Sequence, residues 1–263
     1  MSDHAVADGD ALASVSDVSR SYGGVTVLDG VSLSVSPGVT AVVGPNGSGK
    51  STLLGILAGV TEPTTGEVSH GGAGARKPIG YLPQRVPFRD GFTARETLAF
   101  YGRLVDADPD AALERVGLSD AADKRVESLS GGMRRLLGIA QALLGDPSIA
   151  VLDEPASGLD PTMRERAFRT AAERAPEGTA VVISSHDLEL VEAHADRLVV
   201  VDRGRIAAAG PLDRLRADYD VESVDDLYRV AIGRGDGTGE ESAAPAGDDE
   251  TDGSVHVTGV SER

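Results

Sequence analysis

One glycine-rich run, Gly44-Pro-Asn-Gly-Ser-Gly-Lys-Ser-Thr52, has the residue types and spacing to bind phosphate. It follows an apolar run at 39–43 and precedes a helix-like run at 53–58, so it lies where a buried strand turns into a helix. The glycines let backbone N–H groups converge on an anion, and the positive end of the helix dipole adds attraction. Lys50 would bridge the β- and γ-phosphates of a bound polyphosphate, and Ser51 would give its hydroxyl to Mg²⁺. The predicted loop comprises Gly44, Pro45, Asn46, Gly47, Ser48, Gly49, Lys50, Ser51 and Thr52.

Two neighbouring carboxylates, Asp153 and Glu154, end a continuous apolar run at 149–152 that is typical of a buried parallel strand. Because two adjacent carboxylates are costly to desolvate, their position favours a functional site over a structural role. If this strand lies beside the phosphate-loop strand, Asp153 can hold Mg²⁺ through water. Glu154 can then orient and deprotonate an attacking water molecule.

A histidine, His186, follows a second apolar strand at 180–183. The carboxyl ends of strands in an open α/β sheet face the ligand crevice. We therefore predict that His186 contacts the terminal phosphate.

Two further features are ambiguous when each is considered alone. Ser130, Gly131 and Gly132 open a helix-like run, which is typical of an anion site at a helix N-terminus and equally typical of an ordinary cap. Tyr22 lies upstream of the phosphate loop. The periodicity of the surrounding segment fits an ordinary aromatic residue in a turn as well as a platform on which a base stacks.

The elements that must position these residues follow from hydrophobic spacing. Short alternating segments over 14–35, with turns at 23–24, 29–30 and 37–38, predict an antiparallel layer ahead of the phosphate-loop strand. A helical region is predicted at about 90–139, and its first helix starts with a Thr-x-x-Glu capping box at Thr93 and Glu96.

The remainder of the chain is predicted to close the sheet and then to lose order. A helix is expected from Met133 to Leu144, a closing hairpin over 198–209, and one helical stretch from Pro211 to about Ile232. We expect a folded domain over 13–232, flanked by an acidic disordered N-terminus at 1–12 and an acidic disordered tail at 233–263.

Composition limits the possible functions. The chain has 263 residues, 40% of them hydrophobic, and no cysteine, which is compatible with a full apolar core and a reducing compartment. We expect no membrane-crossing segment, because apolar stretches are short and no N-terminal targeting signal is visible. The net charge of −17 repels phosphate backbones, so nucleic acid is not an expected partner. The charge is typical either of an ordinary acidic protein or of a halophilic one adapted to high salt.

Taken together, the motifs resemble those of the ATP-binding cassette (ABC) ATPases, in the order usual for that family, over about residues 14–216. The feature that specifies this family is the signature Leu129-Ser-Gly-Gly-Met133 between the phosphate loop and the acidic pair. The signature usually has Gln where this chain has Met133, so its contacts with nucleotide are expected to be weaker. The Gly-Gly-Met-Arg-Arg form resembles ABC-2-type exporter ATPases.

The resemblance implies an α/β fold, with a P-loop NTPase core built on a mainly parallel sheet, an N-terminal antiparallel β layer and an inserted helical subdomain. It also implies ATP and Mg²⁺ as ligands. Tyr22 would stack on adenine, Gln84 would sense Mg²⁺, and Asp160 would belong to a nucleotide-contacting loop, the D-loop. The implied catalytic residues are Lys50, Gln84, Glu154 and His186, and the implied magnesium residues are Ser51, Gln84 and Asp153.

The resemblance further implies two protein partners. Two cassettes would pack head to tail, so that ATP on one phosphate loop is closed by Ser130, Gly131 and Gly132 of the other. With one set of motifs, this chain would need a second copy, as a homodimer, or a sister subunit. A separately encoded membrane permease would dock near Gln84 and the helical region, which would place the chain on the cytoplasmic face of the membrane. Core packing explains the phenylalanines of that region equally well: Phe88, Phe92 and Phe100.

Two other functions compete with a transporter ATPase. A soluble cassette ATPase acting in translation or DNA maintenance would usually resemble a double cassette, or carry coiled insertions and basic patches, none of which is visible in the sequence. A regulatory module without turnover is disfavoured by the presence of Lys50, Glu154 and His186.

Overall fold

The structure is a computed structural model that describes residues 11–71, 79–175 and 178–233. Within these ranges the chain forms two sheets and a set of helices that cover them. The strands are β1 (Ala13–Tyr22), β2 (Val25–Val35), β3 (Gly38–Val43), β4 (Thr65–His70), β5 (Ile79–Leu82), β6 (Ile149–Leu152), β7 (Ala180–Ser184), β8 (Arg197–Asp202) and β9 (Arg205–Pro211). The helices are α1 (Lys50–Leu57), α2 (Ala94–Val105), α3 (Pro109–Arg115), α4 (Gly131–Ala142), α5 (Pro161–Ala172), α6 (Leu188–His194), α7 (Leu212–Tyr219) and α8 (Val224–Gly233).

The larger sheet has six strands in the order β5-β6-β7-β3-β8-β9, and only its β8–β9 pair is antiparallel. Its inner strands are buried on both faces, which explains why they consist mainly of valine, isoleucine, leucine and alanine. In register, Leu82 lies opposite Leu152 and Leu152 opposite Ile183. The residues that follow these strands therefore meet at one edge of the sheet, as the sequence predicts.

The smaller sheet is antiparallel, in the order β2-β1-β4, and confirms the predicted N-terminal layer. The predicted turn at 29–30 is wrong, because β2 runs through it. Gly30 has a left-handed φ of 61°, and the β1–β2 register shifts nearby, so the glycine serves a strand irregularity instead of a chain reversal. The Asp29 N–H pairs with the Gly204 carbonyl in the β8–β9 turn, which joins the two sheets.

The helical region contains α2, α3 and α4, with two short 3-10 turns between α3 and α4. The predicted capping box is present: the Thr93 hydroxyl accepts from the Glu96 N–H at 3.1 Å, and the Glu96 carboxylate accepts from the Thr93 N–H at 2.8 Å. Phe88 packs against the core, whereas Phe100 is 51% exposed. Core packing therefore accounts for Phe88, and a contact between Phe100 and a permease stays a prediction.

Two helix predictions differ from the structure. Helix α4 begins at Gly131, two residues before the predicted start, because the Ser130 hydroxyl caps it. The single helix predicted from Pro211 to Ile232 is wrong: Asp220, at a left-handed φ of 56°, separates α7 from α8.

The predicted domain limits stay predictions. Leu12 pairs through its N–H with the Val35 carbonyl, and α8 ends at Gly233. Residues 1–10 and 234–263, on which the predicted disordered termini mainly fall, lie outside the described residues. In the described ranges, no helix is both long enough and apolar enough to span a membrane.

Candidate nucleotide site

The glycine-rich loop connects β3 to α1 at the carboxyl edge of the large sheet. Gly47 and Gly49 have left-handed φ angles of 80° and 105°, which glycine adopts without the steric cost of a side chain. A Cβ at Gly49 would lie 2.7 Å from a methyl group of Leu28 and 2.9 Å from the Val27 carbonyl oxygen, so β2 packs directly against the loop. The loop therefore depends on glycine for both its curvature and its packing.

The Lys50 side chain lies over this loop. Its ammonium donates to the carbonyl oxygens of Gly44 at 2.7 Å and Pro45 at 2.9 Å, and the residue is only 7% exposed. Burial lowers the pKa of Lys50, while the negative charges of Glu154 and Asp153 oppose that shift. A cation is thus held beside the acidic pair.

One buried polar atom of the loop has no partner. The Ser48 hydroxyl is buried and makes no hydrogen bond within the described parts of the chain. A buried hydroxyl without a partner is costly, and a phosphate oxygen entering the loop is a natural acceptor for it. This observation, together with the glycine cradle and Lys50, fits a polyphosphate.

The acidic pair is held by Ser184, at the end of β7. The Ser184 hydroxyl donates to Asp153 Oδ1 at 2.6 Å and accepts from the Glu154 N–H at 2.8 Å. Asp153 is 2% exposed. Burial and the charge of Asp153 raise the pKa of the neighbouring Tyr81 phenol, so that tyrosine stays neutral next to the carboxylate.

His186 and Glu154 are in direct contact, since His186 Nδ1 lies 2.7 Å from Glu154 Oε2. The Glu154 side chain is 12% exposed and that of His186 is 66% exposed. With Nδ1 directed at the carboxylate, Nε2 is left to face a ligand. Both residues line a cleft that continues along Ser157 and Gly158. The structure thus assembles Lys50, Asp153, Glu154 and His186 around one strand edge, as the sequence predicts.

The signature residues of the same chain do not line this cleft. The Ser130 hydroxyl accepts from the Met133 N–H at 3.1 Å and caps α4. Gly131 is open to solvent, whereas a Cβ on Gly132 would meet the Met163 sulfur of α5 at 2.5 Å. Asp160 caps α5 in the same way, accepting from the Met163 N–H at 3.0 Å. Ser130 and Asp160 therefore each stabilise the start of a helix, and their role in nucleotide binding stays a prediction.

Tyr22 and Gln84 are both exposed. The Tyr22 ring, at the β1–β2 turn, has the Arg20 guanidinium carbon 4.4 Å from its centre and is 45% exposed. Gln84 follows β5, and its side-chain amide makes no hydrogen bond to any residue that the structure describes. Among the described residues, neither side chain forms a hydrogen bond with Lys50 or Glu154, and their predicted roles stay predictions.

Sequence reasoning missed two residues that hold the site. Ser184 precedes His186 in a Ser-Ser-His sequence, which was a usable signal because a hydroxyl at a buried strand end needs a partner. Arg135 donates to the backbone carbonyls of Glu154 and Gln84 from a buried position in α4. The sequence signal for Arg135 was weaker: it is a charged residue directly before two leucines, at 136 and 137, which indicates only that it lies close to the apolar face of the helix.

The residues near the loop also fit Mg²⁺. The Ser51 hydroxyl follows Lys50 at the start of α1, and the second oxygen of the Asp153 carboxylate is left over from its bond to Ser184. These are hard oxygen ligands of the kind that Mg²⁺ prefers when it also binds substrate phosphates.

Known proteins resemble this chain in sequence and in fold. The family profile described as ABC transporter matches residues 28–157. The linearmycin resistance ATP-binding protein of Bacillus subtilis (strain 168) is 33% identical over 239 residues, covering 82% of this chain and 77% of that protein. The Nod factor export ATP-binding protein I of Rhizobium etli is 38% identical over 210 residues, covering 74% of this chain and 66% of that protein. A solved structure of the ATP binding subunit of an ABC transporter aligns with a TM-score of 0.73 at 27% identity, covering 84% of this chain and 99% of that one.

A phosphate loop and an acidic strand end at one edge of a parallel sheet define a P-loop nucleotide-binding protein. The relatives narrow this class. The chain belongs to the family of ABC transporter ATP-binding proteins, whose cassette binds ATP and is an ATPase domain.

Proposed function

We propose that this chain is the ATP-hydrolysing subunit of an exporter-type ABC transporter. It would act as a dimer on the cytoplasmic face of the membrane, bound to a separately encoded permease, and would use ATP with Mg²⁺. The observation that best supports turnover is the contact between His186 Nδ1 and Glu154 Oε2, next to a buried Asp153 and Lys50. A module that only senses nucleotide has no need for a carboxylate oriented in this way.

The proposed chemistry assigns one task to each group. Lys50 exchanges its two carbonyl partners for the β- and γ-phosphates, and the Ser48 hydroxyl gains an acceptor. Glu154 takes a proton from water as the water oxygen bonds to the γ-phosphorus. The bond from that phosphorus to the β,γ-bridging oxygen breaks, releasing ADP and phosphate. Mg²⁺, held by Ser51, Asp153 and Gln84, would neutralise the developing charge.

A dimer is proposed because the site of one chain is incomplete. Ser130 and Gly131 lie at an exposed helix start in α4, outside the cleft that contains Glu154 and His186. A second chain packed head to tail would bring its own α4 N-terminus to the open side of the nucleotide. ATP would then stabilise the closed dimer, and hydrolysis would release it.

The exporter assignment rests on the relatives. One of them carries Nod factor export in its name and another linearmycin resistance, and both names describe ATP-binding proteins. In this chain, the exposed Phe100 and the Gln84 loop would contribute to the permease contact.

The test combines hydrolysis with dimerisation. We expect the wild-type chain to hydrolyse ATP with Mg²⁺, and Lys50→Ala to reduce turnover to background because the γ-phosphate loses its cation. Glu154→Gln should keep ATP but lose the base, so size exclusion in high salt with ATP should show a dimer that ADP does not produce.

Three outcomes would count against the proposal. Undiminished turnover in Lys50→Ala would contradict the assignment of the nucleotide site. A Glu154→Gln chain that stays monomeric with ATP would contradict the proposed dimer. Purification of the chain from membranes identifies its partner, and we expect it to be recovered with a multi-span membrane protein. Recovery with ribosomes or DNA in place of a multi-span protein would favour a cassette ATPase of translation or DNA maintenance.

A further inference from the structure

Arg135 is buried where α4 meets the ends of β5 and β6. It lies in the second turn of α4, the helix that starts with the signature residues, and it is 8% exposed. Its three side-chain nitrogens donate to five backbone carbonyls at the ends of β5 and β6. Nη1 donates to Pro83 at 2.9 Å and Gln84 at 3.0 Å, Nη2 to Glu154 at 2.7 Å and to Asp153, and Nε to Pro155 at 3.3 Å.

This arrangement is unusual for a buried cation. Among the described residues, Arg135 forms no ion pair, and the hydrogen bonds of its guanidinium all go to backbone carbonyls. Burial lowers the pKa of Arg135, and the charges of Asp153 and Glu154 oppose the shift. Because an apolar side chain of similar volume often stabilises a fold as well as a buried charge does, stability alone gives a weak reason for an arginine here.

The backbone of Glu154 gives a stronger reason. Its φ of 53° is left-handed, a region that costs a non-glycine residue about 1–3 kcal/mol unless its surroundings hold it. Two side chains from different elements hold this peptide segment. Ser184 accepts from the Glu154 N–H, and Arg135 donates to the Glu154 carbonyl. Arg135 also binds the Gln84 carbonyl, so one side chain links both strand ends to α4.

We propose that Arg135 is a positioning residue that couples the placement of α4 to the orientation of Glu154. When the N-terminus of α4 engages a nucleotide held by another cassette, the displacement of the helix is carried by the rigid guanidinium to the peptide of Glu154 and to the loop at Gln84. Hydrolysis is thereby linked to closure. This inference rests on the proposed function, in which Glu154 is the general base.

The experiment compares substitutions at neighbouring arginines of the same helix. Arg135→Met keeps an unbranched side chain about as long as the stem of arginine and removes the guanidinium with its donors. Arg134→Met is the matched control, since Arg134 is exposed and its side chain, within the described ranges, donates only to the Leu129 carbonyl, at 2.8 Å. We expect Arg135→Met to lower kcat about 10- to 100-fold, because misplacement of a catalytic group by about 1 Å has that effect. KM for ATP and binding of a fluorescent ATP analogue should change less than about threefold, as expected when transition-state stabilisation alone is lost.

Rescue separates positioning from plain structural support. Arg135→Ala should regain at least part of its lost kcat on addition of low-millimolar guanidinium, whereas Glu154→Gln should not respond. Arg135→Lys should fall between the wild type and Arg135→Met, since one ammonium cannot reach both strand ends in the way that a planar guanidinium does.

Several results would overturn the coupling role. The first is a kcat for Arg135→Met equal to that of Arg134→Met. The second is an equal loss of ATP affinity and kcat in Arg135→Met, with no rescue of Arg135→Ala by guanidinium. The third is a failure of both Arg135→Met and Arg135→Lys to fold, which would make the role of Arg135 purely structural. Failure of the proposed function is distinguishable, because it would appear first as a wild-type chain without ATPase activity or as an active Lys50→Ala.

Discussion

Ser184 shows how much of this site depends on one hydroxyl. It is fully buried, donates to Asp153 Oδ1 and accepts from the Glu154 N–H. Ser184→Ala would leave a buried carboxylate oxygen and a buried N–H without partners. We expect a loss of about 1–3 kcal/mol in the free energy of unfolding. We also expect a fall in kcat, because the left-handed backbone of Glu154 loses the hydrogen bond to its N–H and keeps only those that Arg135 and the Ser157 N–H donate to its carbonyl.

Thr40→Val is the control for this prediction. Thr40 lies in the neighbouring strand β3, and its buried hydroxyl has no hydrogen-bond partner among the residues that the structure describes. Its removal should leave stability equal to or above that of the wild type, since an unsatisfied buried hydroxyl is lost. Urea unfolding and steady-state ATPase assays measure both variants. Equal unfolding midpoints for Ser184→Ala and Thr40→Val would refute the assigned role of Ser184.

At this scale, local motifs predicted the residues that meet at the site, and contacts distant in sequence were missed. Lys50, Asp153 and His186 each belong to a short pattern at a strand end, so their neighbourhood follows from strand order. The bonds from Ser184 to Asp153 and from Arg135 to Gln84 join residues 31 and 51 positions apart. No local pattern encodes such a pair.

Among the elements, α4 and β5 are packed so closely that one glycine decides their separation. A Cβ on Gly80 would lie 1.8 Å from the Ala142 carbonyl oxygen, which belongs to the helix backbone and cannot rotate away. Gly80→Ala must therefore separate α4 from β5. We expect a loss of about 3 kcal/mol or more in the free energy of unfolding, and a loss of ATPase activity as Arg135 is drawn away from the strand ends.

Gly131→Ala is the matched substitution on the same helix. A Cβ there would meet nothing within 4 Å, so the free energy of unfolding should stay the same or rise slightly with the better helix former. Urea midpoints for the two variants provide the comparison. A Gly80→Ala chain as stable as Gly131→Ala would show that α4 can shift freely on β5, which would also weaken the coupling assigned to Arg135.

Element boundaries mark where sequence patterns reach their limit. The capping box at Thr93 fixed the start of α2, because its partners are three residues apart. The course of β2 through Gly30 and the break at Asp220 were not predictable in the same way. Each depends on a residue with a left-handed φ. At Gly30 the neighbouring Asp29 pairs with Gly204, which is distant in sequence, whereas at Asp220 a non-glycine residue adopts the left-handed φ that ends α7.

At the scale of the whole molecule, the surplus of negative charge determines how stability depends on salt. The chain has 42 acidic and 25 basic side chains, and most ion pairs in its described parts are exposed, as between Arg229 and Asp225. Exposed pairs contribute about 0–1 kcal/mol each, so salt removes little by screening them. The repulsion among surplus carboxylates acts over a Debye length of about 10 Å at 0.1 M salt and about 3 Å at 1 M. Screening should therefore stabilise the folded chain.

We accordingly predict that the melting temperature rises with KCl, steeply up to about 1 M, where screening is nearly complete. A continued rise above that concentration would indicate that hydrated carboxylates themselves favour the folded state, as the halophilic hypothesis proposes, whereas a plateau would fit an ordinary acidic protein. Sucrose, which is excluded from protein surfaces but carries no charge, separates screening from general stabilisation. A melting temperature that is flat or falls between low salt and 1 M KCl would contradict the dominance of carboxylate repulsion.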